Sequence, residues 1–444
     1  MSLSSGSRGL SGKGLYIAIA AWLILVIVGG FCTWYGWFGP GSGSSQQVTE
    51  ATPTAEAVPP TAAPTAALPT PTTAPVLPTV AQAQEVFGYG ITIHGTGGGD
   101  VDYMMGQVTN LGLGWVKQQV CWKCFEGNPG EMDWSGYDWV VDAANERGVK
   151  VMFSVVDAPH WTRTYFDDNV QGAPPDDLTL LADFMGRLVD RYRGRIHAIE
   201  VWNEQNLDRE WDTAEGVNAE RYVEMLRLAY QAIKSRDPNI IVISGALSPT
   251  GVNCRVSWPD CSDTGRPIIV DDFVYLDQMI AASFLNYCDC VGAHHNGINL
   301  PPNIAWDEGY DDPTAQYRGP FNNPNHSWSF KSTLGGYHDR VVAAGSDKPL
   351  CVTEFGWASA EGFDGYPPEM EFALDNTLEE QAQWDVEAFQ LMRQWGFVRL
   401  AFLWNLNFSQ LGFGPEDPNA PWAIIDFKGI ARPSFGAIGA MPKP

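Results

Sequence analysis

Two glutamates stand in matching settings 150 residues apart. Glu204 closes the run Ile199-Glu200-Val201-Trp202-Asn203-Glu204, and Glu354 closes Leu350-Cys351-Val352-Thr353-Glu354. Each is an apolar run that ends abruptly in polar residues. That is the pattern of a buried parallel strand whose last residues emerge at the C-terminal rim of a sheet. Two carboxyls at such a rim suit acid and nucleophile work: one donates a proton to a leaving oxygen and the other attacks carbon. This is the pair that breaks a glycosidic bond. For that chemistry the acid must hold its proton at rest, with a pKa above that of a solvated glutamate. The nucleophile must be ionised and surrounded by hydrogen-bond donors.

Other groups compete for roles. Glu200 faces the same side of its strand as Glu204 but lies four residues earlier, about 13 Å deeper if the strand stays extended. That depth predicts a structural ion pair inside the fold, with Lys117 as the partner. Asp157, after the third apolar run, is closer to the rim and is kept as a possible substrate contact only. His294 and His295 are neighbours on a strand and point to opposite faces, a poor metal pair. Seven histidines with no other cluster offer little support for a metallohydrolase.

Eight apolar runs supply the elements that must position these groups: 86–93, 114–120, 149–156, 196–203, 240–246, 288–294, 349–355 and 397–404. Helical stretches alternate with them near 100–111, 136–147, 177–193, 217–235, 271–285, 329–344 and 377–395, with a short last one near 433–440. Eight strand–helix units in order predict an α/β fold, a (β/α)₈ TIM barrel over 86–444, in preference to an open doubly wound sheet. Glu204 then belongs to strand four and Glu354 to strand seven.

The N-terminal part is of another kind. Residues 15–38 carry no charge and end in Trp34, Tyr35 and Trp37. About 20 such residues span a bilayer as a helix, and the aromatics match an interfacial belt. Arg8 and Lys13 precede the segment, which keeps residues 1–14 cytoplasmic. A cleaved signal peptide would need a shorter apolar core and a small-residue cleavage site. Residues 39–85, rich in Pro, Thr and Ala, cannot form a core and read as a disordered, semi-extended stalk. The expected organisation is a cytoplasmic tail, a transmembrane anchor, a stalk and an extracytoplasmic barrel at the cell membrane. The formal net charge of −25 repels phosphate backbones, so nucleic acid is not an expected partner.

Eight cysteines fit an exported domain. Cys254 and Cys261 share one loop and predict a loop-closing disulfide. Cys121 and Cys124 read as a short structural disulfide, with a free pair or a metal-binding pair as alternatives. Cys288, Cys290 and Cys351 sit inside strands and are expected to pack as small hydrophobes.

The motifs VWNEQN and VTEFGW together resemble the large clan of retaining glycoside hydrolases built on TIM barrels, closest to its cellulase-like and β-xylosidase-like families (5 and 39). The resemblance covers 86–442 and implies acid/base and nucleophile roles for Glu204 and Glu354. It also implies that Asn203 binds the sugar 2-hydroxyl and that Trp404 lies under the sugar at the cleavage point, the alternative for Trp404 being an interior barrel residue. On strand six the clan often has His-x-Tyr, the tyrosine bonding the nucleophile. His294 matches, but Asn296 stands where the tyrosine would be, so either Asn296 or a tyrosine from elsewhere, such as Tyr310, must serve.

Eighteen tryptophans are a heavy load, and several fall in loops. Sugar rings stack on indoles, so Trp122, His160, Trp161, Trp202, Trp306, Tyr310 and Trp357 are candidates for the rim. Trp122, His160, Trp161 and Trp357 join Asn203, His294, Asn296 and Trp404 as expected substrate contacts, with packing as the competing role of each aromatic. The long insertion from Ile298 to Trp328 is expected to form one cleft wall. Its acids Asp307, Glu308, Asp311 and Asp312 suit a solvated loop better than a calcium site. The reading is a membrane-anchored retaining glycosidase acting without cofactor or metal on a neutral β-linked oligo- or polysaccharide. Its rivals are a carbohydrate-binding pseudoenzyme and a structural subunit of a membrane assembly.

Overall fold

The computed structural model describes residues 87–96, 99–165, 172–257, 261–368, 370–408 and 414–444. The expected span at 15–38 and stalk at 39–85 lie outside these residues. Among the described residues no helix is long and apolar enough to cross a membrane.

The chain alternates strand and helix as its apolar runs require. Strands β1 (Gly88–Ile93), β2 (Trp115–Cys121), β3 (Lys150–Val156), β4 (Ala198–Val201), β5 (Ile241–Ser244), β8 (Val291–Gly297), β9 (Leu350–Trp357) and β10 (Val398–Leu403) form one parallel sheet in the order β5-β4-β3-β2-β1-β10-β9-β8. The two ends meet through parallel bridges Ile243–Cys290 and Leu247–Ala293, which close the sheet into a barrel. Each barrel strand falls within a few residues of its expected place, with Glu204 after the fourth strand and Glu354 on the seventh. Two short strands were not foreseen: β6 (Cys254–Arg255) and β7 (Pro267–Ile269), an antiparallel pair in the loop after β5.

The strands are buried almost throughout, because helices cover the outside and side chains fill the inside. One interior layer gathers Trp115, Met152, Ala198, Ile243, Leu400 and Phe402. Their bulk explains the glycines of β1: a Cβ at Gly90 would lie 2.4 Å from the Phe402 ring. Cys290 and Cys351 belong to this same layer and are joined by a disulfide, a correction to their expected role as unbonded packing residues. They come together because strands six and seven are neighbours. Cys288 remains a free, buried thiol. Cys254–Cys261 and Cys121–Cys124 are disulfides as expected, which removes the metal alternative for the latter pair.

Above the C-terminal ends of β8, β9 and β10 the long insertion builds a second small core. Ile298, Leu300 and Trp328 pack there with Ala358, Met370, Phe372 and Trp422, and Trp404 leans against them. Two acids of the insertion pair with cations, Asp311 with Arg318 and Glu308 with Lys331.

Candidate active site

Strand β4 ends at Val201, and the chain then turns sharply instead of continuing extended. Trp202 (φ 80°) and Glu204 (φ 42°) both occupy the left-handed region, which costs non-glycine residues energy and persists only where the surroundings enforce it. Here the Trp202 indole donates to the Glu210 carbonyl at 2.8 Å, and the Glu204 amide donates to the Ala246 carbonyl at 2.8 Å. Gln205 Nε2 donates to the Gly245 carbonyl at 2.8 Å, so close that a Cβ on Gly245 would meet Gln205 Oε1 at 2.3 Å. The chain from Val201 to Glu204 is therefore not extended strand.

Glu354 is aimed by an irregularity in β9. Ala293 pairs with Val352 but His294 pairs with Glu354, so Thr353 is the extra residue of a bulge. Its hydroxyl donates to Glu200 Oε1 at 2.6 Å. Glu354 and His294 become register neighbours on adjacent strands.

The carboxyls then meet through shared partners. The His294 ring has Nδ1 at 3.1 Å from Glu204 Oε1 and Nε2 at 3.8 Å from Glu354 Oε1, so one buried imidazole lies between both glutamates. Lys117 Nζ donates to Glu354 Oε1 at 2.8 Å and lies 3.5 Å from Glu200 Oε2. The expected Lys117–Glu200 pair exists, but the same ammonium also serves Glu354. Burial disfavours charge on both cations, yet the facing carboxylates outweigh it and hold the pKa values of His294 and Lys117 above their ordinary values.

Glu204 departs from expectation. Burial alone would raise it, but the Arg209 guanidinium paired to Oε2, with His294 and Lys117 nearby, brings its pKa down to about 2. At rest it is ionised, the form suited to a base and not to an acid.

The remaining candidates divide. Asn203 is buried beside Glu204, and its Oδ1 has no hydrogen-bond partner among the described residues; Asn296 Oδ1, on strand six, is likewise unmatched. Trp404 is partly buried with its ring edge-on to His94 at 5.3 Å. His160 is exposed and Trp161 partly so, with the Trp161 indole donating to the Glu126 carbonyl at 3.0 Å. Trp122 and Trp357 are corrections: both are buried, donating at 2.9 Å to Glu126 and at 2.8 Å to the Leu300 carbonyl. They pack instead of facing the rim, because a satisfied indole N–H lets the whole ring be covered. Trp202 is buried in the same way. Trp306 and Tyr310 are exposed on the insertion, and Tyr310 packs on Phe321. Among the described residues the hydrogen bond to Glu354 comes from Lys117 and not from a tyrosine. Asp157 (φ 61°) is paired with Lys123 at 3.3 Å.

Sequence reasoning missed Arg209 and Glu210. Arg209 lies five residues past Glu204 in an irregular turn, where no periodicity signals which side chains meet.

No protein-family model matches the sequence, and no curated protein matches it. Solved structures do share its fold. A family 39 glycoside hydrolase from Bacteroides cellulosilyticus WH2 is 15% identical with a TM-score of 0.56, covering 81% of this chain and 64% of that one. An exo-beta-1,4-mannosidase from Opitutaceae bacterium strain TAV5 is 15% identical with a TM-score of 0.52, covering 81% and 61%. A glucosidase from Croceicoccus marinus is 13% identical with a TM-score of 0.53, covering 81% and 67%. This chain spans less than two thirds of the family 39 enzyme and of the mannosidase. What is shared at such identity is the barrel, the fold of glycoside hydrolases, and not a particular activity.

Proposed function

We propose that this chain is a retaining glycoside hydrolase acting on a neutral β-linked glycan by double displacement. The observation that carries the reading is the meeting of Glu204 and Glu354, from strands four and seven, on opposite nitrogens of His294. In the first step a Glu354 oxygen bonds to the anomeric carbon, the bond from that carbon to the leaving oxygen breaks, and Glu204 supplies the proton. In the second step Glu204 takes a proton from water, whose oxygen displaces Glu354. Lys117 donates to Glu354 Oε1 and orients it. The unmatched Asn203 Oδ1 is available to a sugar hydroxyl. The apolar run at 15–38 after Arg8 and Lys13 supports anchoring at the cell membrane with the barrel outside.

The test is covalent trapping. Full-length protein is incubated with 2-deoxy-2-fluoro β-glycosides of several sugars carrying dinitrophenolate, and the labelled peptide is located by mass spectrometry. The expected adduct is on Glu354. Label on another carboxyl, or turnover without any adduct and with inverted product, removes the reading.

A second reading, a carbohydrate-binding protein without turnover, draws on one observation: Arg209 holds Glu204 ionised. It requires glycan binding by the wild type with no adduct and no hydrolysis of activated glycosides.

A further inference from the structure

Glu200 on β4 is a carboxyl that the two-glutamate scheme leaves unused. It is fully buried, and Thr353 and Lys117 beside it are shut away from water as well. Removing a carboxyl from water is costly unless partners meet it. Three partners do, each from another part of the barrel, and each leads on to a catalytic glutamate. Thr353 on β9 donates its hydroxyl to Glu200 Oε1 at 2.6 Å, and Thr353 is the bulge residue that brings Glu354 level with His294. Lys117 on β2 lies 3.5 Å from Glu200 Oε2 and donates to Glu354 Oε1 at 2.8 Å. Ala246, just past β5, donates its amide to Glu200 Oε1 at 3.3 Å, while its carbonyl accepts the Glu204 amide at 2.8 Å. Balancing the Lys117 charge does not account for this arrangement, because that task needs neither the Thr353 nor the Ala246 bond. A buried ion pair also adds little stability over well-packed apolar side chains, the kind that fill the neighbouring interior layer.

We propose that Glu200 is a positioning residue for the hydrolysis: its carboxyl fixes where Glu354 and Glu204 stand relative to each other, through Thr353 and Lys117 on the nucleophile's side and through Ala246 on the acid's. This rests on the roles of Glu354 and Glu204 argued above. Glu200 touches no reacting atom and acts only through the groups it holds. A shift of one residue in the pairing of β9 would point Glu354 to the opposite face, and the Thr353 hydroxyl bond opposes that shift. A displacement of about 1 Å at a reacting group costs roughly 100-fold in rate, so a support that reaches both glutamates bears directly on turnover.

The experiment uses full-length protein and the dinitrophenyl 2-deoxy-2-fluoro β-glycoside that labels the wild type, with the labelling rate constant and the half-saturating concentration read separately. Thr353→Val keeps the shape and loses the hydroxyl. Its labelling rate constant is expected to fall roughly 100-fold with the half-saturating concentration little changed, and Thr353→Ser is expected to keep the wild-type rate. Glu200→Leu should slow labelling at least as much, and adding Thr353→Val to it should slow it no further, because the two act through one bond. Glu200→Gln, whose amide oxygen still accepts from Thr353, should lose less than Glu200→Leu. Should Glu200→Leu not fold, the two Thr353 variants decide alone. A second readout needs no turnover. The ring nitrogens of His294 face Glu204 and Glu354, and their NMR signals, assigned by their loss in His294→Asn, should shift in Thr353→Val and not in Thr353→Ser. Such shifts in a protein that no glycoside labels support the positioning while the hydrolase reading fails, so the two failures are distinguishable. Wild-type labelling by Thr353→Val, an equal loss in Thr353→Ser, losses that multiply in the double variant, or His294 signals unmoved in Thr353→Val overturn the proposal.

Discussion

Lys117 donates its ammonium to Glu354 at 2.8 Å while lying 3.5 Å from Glu200, so one buried cation serves a carboxylate at the rim and another inside the barrel. Neither the ammonium nor Glu200 is accessible to water. Replacing Lys117 by Met therefore strands buried negative charge. The variant is expected to lose about 3–5 kcal/mol of stability in urea titrations. Lys117→Arg, which keeps the charge, should recover most of that loss. Equal stability of Lys117→Met and wild type would show that Glu200 and Glu354 do not depend on the ammonium.

The two glutamates should separate cleanly by leaving group. Glu354→Gln is expected to abolish glycosyl-enzyme formation with every substrate. Glu204→Gln should still form the intermediate from dinitrophenyl glycosides, slow alkyl glycosides by roughly 100-fold or more, and be rescued by azide. From a β-glycoside the rescued product should be the β-azide, identified by NMR. An α-azide, or normal turnover by Glu354→Gln, would take these residues out of their roles.

The interior disulfide lends itself to a direct stability test. Cys290 and Cys351 close a loop of 61 residues, and cross-linking a loop of that size constrains the unfolded chain by about 4 kcal/mol. The Cys290→Ala/Cys351→Ala protein should melt well below the wild type under non-reducing conditions. An unchanged melting temperature would mean that the layer formed with Trp115 and Phe402 holds strands six and seven together without the bond.

Asp385 gives stability a pH dependence of its own. It is buried on the helix Leu378–Trp395 and accepts from Ser434 Oγ at 2.6 Å. Burial raises its pKa to about 7, more than Ser434, Trp357 and Arg432 lower it. A folded-state pKa above the unfolded one means that the folded protein binds the proton more tightly. The associated stability is complete below about pH 4 and is lost as pH rises through about 7. Asp385→Asn, neutral at all pH, is expected to melt higher than the wild type at pH 8.5 and to show little difference at pH 4. A constant gap at both pH values would remove the titration of Asp385 from the explanation.

The proposed anchor is checked by fractionation. Full-length protein should sediment with membranes, and external protease should release the barrel by cutting within 39–85. A mature N-terminus at or beyond residue 39 would point to cleavage in place of anchoring.

The sequence by itself determined the number and order of the barrel strands. A parallel strand covered on both faces must be apolar along its length, and that necessity shows as eight separate runs. It also marked Glu204 and Glu354, because polar residues that abruptly end such a run can only emerge at the rim. Cys254 and Cys261 were legible for a local reason: they are seven positions apart in one loop, and closing so short a loop loses little chain entropy. Tertiary structure alone decided the electrostatics. Lys117 reaching Glu354, Arg209 pairing with Glu204, and the Cys290–Cys351 bond depend on barrel closure, on the bulge at Thr353 and on the left-handed turn at Trp202 and Glu204. The burial of Trp357 depends likewise on the Leu300 carbonyl meeting its indole. These are meetings between side chains far apart in the chain, or set by a turn without periodicity, so no local pattern encodes them. They follow from how far each strand runs before its neighbours bend it.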